Sequence, residues 1–188
     1  MPRLTTEQLQ TRVIRIALVH FFMALALGLS IIVYQSWQLI PLEDVWKRWE
    51  VLGILAVVTT AVWYSARRIT NLSVQKLLVG TFIALDVSLA SFWVYAERGM
   101  AARGVVLFAV PLAVAASLRS RSALFATACI STAAYLLACV KYFVDYFNEG
   151  YSVELYSTIA LYGAVFFVLA GLLWIAVGSD TTTKTRRF

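Results

Sequence analysis

One carboxylate, Asp86, stands inside the long apolar run Leu77–Tyr95 and is the strongest chemical signal in the chain. Nine residues beyond Leu77, at about 1.5 Å rise per residue, it lies about 13 Å along a helix, near the middle of a bilayer about 30 Å thick. Insertion of a charged residue at that depth costs about 2.5–3.5 kcal/mol, so intramembrane acids mark proton, ion or ligand sites by default. Two readings stand side by side. Asp86 is a proton or cation site, or an anchor for a polar ligand; or it is a structural group hydrogen-bonded to a hydroxyl such as Thr59, Thr60 or Ser131. His20, the single histidine, follows Arg15 by little more than a turn and reaches nearly the same depth. A His20–Asp86 pair would join a proton-responsive imidazole to a carboxylate, whereas a histidine on a packing face is the plainer alternative.

Other chemistry is thinly represented. One histidine and two cysteines, Cys129 and Cys139, form no metal-ligand spacing, so no metal is expected. The cysteines lie roughly 15 Å apart on one helix, too far for a disulfide. No phosphate loop, nucleophile elbow or Ser–His–Asp set is present, and neither an enzyme nor a cofactor is expected. Pro111 falls inside the fourth apolar run, where loss of a backbone hydrogen bond predicts a kink and a candidate hinge. Trp93, Tyr146 and Tyr151, with other aromatics of the same ends, form a candidate outer surface for a cationic or aromatic ligand. Interfacial anchoring explains the same rings.

The elements that position these residues are read from hydropathy. Of 188 residues 61% are hydrophobic and 14% charged, with a mean hydropathy of +0.79, against about 25% charged residues in soluble domains. The apolar residues gather into six runs at 13–34, 49–66, 77–95, 103–118, 123–142 and 155–178. The fourth is the shortest. Continuous rather than alternating apolarity argues for helices and against a β-barrel. Thr5 and Gln8 form a capping box that starts the first helix ahead of its apolar run. That run exceeds the apolar core of a secretory signal, so it is read as a retained span.

Charge sets the orientation. Arg3, Arg12, Arg15, Arg67, Arg68, Lys76, Arg119, Arg121, Lys184, Arg186 and Arg187 fall on one side of a six-span layout, against Lys47, Arg48, Arg98, Arg103 and Lys141 on the other. The positive-inside rule therefore puts both termini in the cytosol. The net charge of +6 is spread among loops and is not gathered into a nucleic-acid surface. Small-residue stripes predict close helix packing: Ala109, Ala113 and Ser117; Ala123, Thr127 and Ser131; Gly163 and Gly171.

The stretch Gln75-Lys76-Leu77-Leu78, Asp86 in mid-helix, Tyr95 before the turn Glu97-Arg98-Gly99, and Pro111 in the next run together resemble the N-terminal six-helix transmembrane sensor region of bacterial histidine kinases. The resemblance covers about a third of the chain. It implies a membrane sensor, but the turn lacks the Gly-Gly and Asn-Pro-Phe elements tied to quinone binding, so quinone sensing is not implied. The run Ser179–Phe188 stands where a kinase would continue into its dimerisation helix, so a separate output protein is expected. A chain of this size is also similar to the substrate-binding subunits of energy-coupling vitamin importers, with Ala24, Ala26 and Gly28 as the small-residue patch on the first span.

The resulting expectation is an all-α polytopic protein: one domain over 1–188, a six-transmembrane-helix bundle in a bacterial inner membrane. It senses a small molecule or membrane state and passes this to a cytosolic signalling protein. The alternatives are a transport subunit working with other transporter subunits, and a structural protein. Its surroundings are the lipid bilayer, with homo-oligomers open and nucleic acid not expected.

Overall fold

A computed structural model of the chain describes residues 5–146 and 153–179, and every regular element among them is helical. The helices are α1 (Thr6–Ser36), α2 (Leu42–Arg68), α3 (Leu72–Ala96), α4 (Ala109–Ala116), α5 (Arg121–Tyr146) and α6 (Val153–Ser179). Two 3-10 segments, Gly99–Ala101 and Arg103–Phe108, link α3 to α4. Among the described residues five helices are long and apolar enough to cross a membrane: α1, α2, α3, α5 and, within α6, Leu155–Val177. Helices suit this composition because a helix satisfies its backbone internally where lipid offers no hydrogen bonds. Contacts divide the chain into two compact units, Leu4–Val79 and one beginning at Gly80, with the boundary inside α3.

In the first unit α1 and α2 pack along each other. The capping box is formed: Gln8 N donates to Thr5 Oγ1 and Thr5 N to Gln8 Oε1, both at 3.3 Å. Buried positions on α2 (Val45, Arg48, Leu52, Leu55, Thr59, Val62, Ala66) recur every three or four residues, the period of a helix that presents one seam to a partner. Gly28 is buried in α1, and a Cβ there would lie 3.3 Å from Leu52 Cδ2. Its small size therefore serves packing between these two helices. The end of α2 is pinned by two amides. Gln10 Nε2 donates to Ala66 O at 2.7 Å, and Gln75 Nε2 donates to Ala66 O at 3.1 Å and Ile69 O at 2.6 Å. Carbonyls left over at a helix C-terminus are thus satisfied from inside the protein.

In the second unit α4, α5 and α6 pack around interlocked rings. Phe108 meets Tyr135 edge-on at 6.1 Å and Phe166 at 5.2 Å, while Tyr135 meets Tyr162 at 5.3 Å. Such geometry favours ring edges against ring faces. Gly163 lets α5 approach α6, since a Cβ there would sit 3.0 Å from Thr132 Cγ2.

Two expectations are corrected here. The fourth run is not one kinked helix: it enters as the 3-10 segment Arg103–Phe108 and becomes α-helical only at Ala109. Pro111 lies in the first turn of α4, directly after the 3-10 segment and close to the point where the helical geometry changes. Two of the three residues of the stripe on this run face outward, and Ser117 is half-buried. Ala109 and Ala113 are exposed, and Leu112, Ala115 and Ala116 make the buried face.

Candidate functional site

Within the second unit, α3 and α5 leave a groove of about 410 Å³ between them. From α3 come Val87, Ser88, Ser91, Phe92 and Tyr95; from α5 come Ala134, Leu137, Ala138 and Lys141. Ser88, Ser91 and Tyr95 follow helical spacing on one face of α3, and Ala134, Ala138 and Lys141 do so on α5. The two alanines open the space: a longer side chain at either would occupy it. Ser91 Oγ donates to Val87 O at 2.7 Å, leaving an oxygen that can accept from a ligand.

One end of the groove is polar. Tyr95 Oη donates to Asp145 Oδ2 at 2.7 Å. Lys141 Nζ lies 2.8 Å from the same oxygen and 3.1 Å from Asp145 Oδ1, an ion pair one turn apart on α5. The ammonium also stands 5.8 Å from the Tyr95 ring centroid. Tyr146 stacks at 4.8 Å on Tyr142, whose ring lies edge-on to Tyr95. Backbone geometry supports this end. Gly99 has φ +64°, a conformation in which a side chain is strained, and a Cβ there would meet the Tyr142 ring at 3.1 Å. Glu97 Oε2 accepts from Gly104 N at 2.9 Å and ties the turn together. An apolar trough ending in an ammonium, a carboxylate and a phenol suits a molecule with an apolar body and a polar head. The paired charges cancel, so they favour a head that both donates and accepts.

The residues singled out from the sequence fall in different places. Asp86 is 2% exposed. Nine residues at 100° each put it on the side of α3 opposite Tyr95 and the groove. Of its expected hydroxyl partners, Thr59 Oγ1 and Ser131 Oγ are buried without a hydrogen-bond partner, and Thr60 Oγ1 donates to Ala56 O. His20 is buried, with Nδ1 2.8 Å from Ile16 O; a carbonyl only accepts, so this nitrogen carries a proton. His20 and Asp86 belong to different units. Trp93 is buried against Gly104 and edge-on to Phe92, which removes it from the proposed outer ligand surface. Tyr146 is exposed beside the polar end of the groove, and Tyr151 lies outside the described residues. Among the described residues no three His, Cys, Asp or Glu side chains converge as metal ligands.

Sequence reasoning passed over Ser88, Ser91, Ala138, Lys141 and Asp145. A signal existed in the Lys141/Asp145 spacing and in the Ser88–Ser91–Tyr95 stripe, but the pairing of those two faces is tertiary. The chain matches no protein-family model, no curated protein and no solved structure, so its functional reading rests on its own residues.

Proposed function

We propose that this chain is a membrane-embedded sensor-type module that takes a small amphiphile into the α3–α5 groove and reports its presence to a separate cytosolic protein. The observation that carries this reading is the division of the groove into an apolar trough and a polar end built from Tyr95, Lys141 and Asp145. A ligand seated there touches both helices, so it biases whichever spacing of α3 and α5 it fits better, and only that difference in affinity transmits anything. Asp86 lies on the other side of the same helix. Rotation of α3 toward a ligand moves a buried carboxylate that is costly to leave unsatisfied, which makes two discrete settings of α3 more favourable than a continuum.

The layout that goes with this reading has six crossings, both termini in the cytosol and a bacterial inner membrane as its home. The segment Arg103–Ala116 serves as the short crossing; its mixed 3-10 and α geometry spans roughly 24 Å, within what local thinning of a bilayer accommodates. The excess of basic residues in alternate loops supports the orientation.

The test is purification from native membranes in mild detergent, with mass spectrometry of both the organic extract and the accompanying proteins. The expected result is an amphiphile present with the wild-type protein and lost from Ala138→Trp, together with a soluble signalling protein. An ATPase pair with a second membrane subunit would overturn the sensor reading in favour of transport. An extract without ligand, or one unchanged by Ala138→Trp, would remove the groove as the site.

A further inference from the structure

A second cleft lies at the start of α5, where it runs beside α6. It has a volume of about 260 Å³, and its walls include Arg121 and Phe125 from α5 and Phe167, Gly171 and Trp174 from α6. Arg121 is the first residue of α5, and its guanidinium carbon stands 4.6 Å over the Trp174 ring. Stacking occupies the face of a guanidinium and leaves its in-plane N–H fork available, the geometry that grips a phosphate. Away from this end the cleft is apolar. Phe125 and Phe167 are both exposed, with ring centroids 5.5 Å apart. At Gly171 an added Cβ would meet nothing within 4 Å, so α6 leaves a gap in its surface beside them.

Charge selects the occupant. Arg119 precedes Arg121 by two residues, the first turn of α5 holds no acid, and neither arginine forms an ion pair among the described residues. Arg121 at the end of an apolar cleft between helices of membrane-crossing length, with an interfacial tryptophan beneath it and a second arginine two residues earlier in the chain, matches a headgroup phosphate above an acyl chain. We infer that this cleft binds a membrane phospholipid of net negative headgroup, its phosphate on Arg121 with Arg119 alongside and one acyl chain between Phe125, Phe167 and Gly171. This site is separate from the α3–α5 groove and does not rest on the sensor reading.

The test is native mass spectrometry of the full chain released from detergent after exposure to equal amounts of phosphatidylglycerol and phosphatidylcholine with identical chains. Wild type should retain phosphatidylglycerol preferentially, by about fivefold for each arginine that meets the headgroup. Arg119→Gln with Arg121→Gln should erase the preference, and Gly171→Leu, which fills the gap, should lower retention of both lipids. Equal retention of the two lipids by wild type overturns the proposal without recourse to any variant. So does a preference that survives the double substitution, or retention untouched by Gly171→Leu. Displacement of the lipid by millimolar inorganic phosphate would assign the arginines to a free anion instead.

Discussion

Gly104→Ala tests how the segment between α3 and α4 is held, and through it the face of α3 that carries the groove. An added Cβ would lie 2.9 Å from Trp93 Cβ and 3.3 Å from the Trp93 carbonyl carbon, against about 3.5–4.0 Å at an optimal carbon–carbon contact. Trp93 is 4% exposed, and neither clashing atom moves with its rotamer, so relief requires the two backbones to part by several tenths of an ångström. The same displacement stretches the 2.9 Å bond from Gly104 N to Glu97 Oε2. Overpacking of this kind costs about 1–3 kcal/mol, and the lower chain entropy of alanine returns about 0.4–1 kcal/mol. The expected net loss is therefore about 1–2 kcal/mol, a fall in thermal midpoint on the order of 2–8 °C for a chain of this length. Tryptophan fluorescence during heating in detergent reads it directly. The control is Gly53→Ala, where an added Cβ would meet nothing within 4 Å; it should leave the midpoint unchanged or raise it. If Gly104→Ala behaves as Gly53→Ala does, the close approach to Trp93 is wrong, and with it the account of how this segment seats on α3.

Gln75→Leu should cost about 1–3 kcal/mol, because it leaves the Ile69 carbonyl without its side-chain donor and Ala66 O with Gln10 alone; Gln10→Leu should cost less, since Gln75 still serves both Ala66 and Ile69, and thermal unfolding ranks the two. Tyr95→Phe should leave the thermal midpoint near that of wild type while lowering retention of a groove ligand several-fold, measured by mass spectrometry of the purified protein. On the sensor reading proposed above, Asp86→Asn should abolish signal output in a protein that still inserts and folds; an unaltered output would reduce Asp86 to a packing role. Reporter fusions at the two termini should both register cytosolic, whereas opposite sides would mean that Arg103–Ala116 does not cross.

Much of the helical framework was legible because in lipid an apolar run of about 20 residues has few alternatives to a helix. The capping box at Thr5 and Gln8 was legible for a local reason: both partners lie within one turn. Gln75 was visible only as part of a resemblance, and its actual work, holding the end of α2 through Ala66 and Ile69, depends on where the chain returns after the loop. Trp93 looked like a belt residue by its position near a helix end. Only the approach of Gly104 shows that the ring is enclosed. The groove was hidden because its walls, Ser88–Ser91–Tyr95 and Ala134–Ala138–Lys141, are two unremarkable stripes until α3 and α5 are placed together.

The sequence by itself determined the class: an all-helical chain with several helices fit to cross a bilayer, and a basic-residue pattern that favours one orientation. Tertiary structure decided which faces are inside, where the fourth run changes from 3-10 to α-helix, and that the polar end of the groove is assembled from Tyr95, Lys141 and Asp145. The physical reason is that hydropathy dictates helix formation through the backbone, while helices apolar all round carry little mark of which side they bury. Those sides are chosen by shape, at contacts such as Gly28 against Leu52, Gly163 against Thr132 and Gly104 against Trp93.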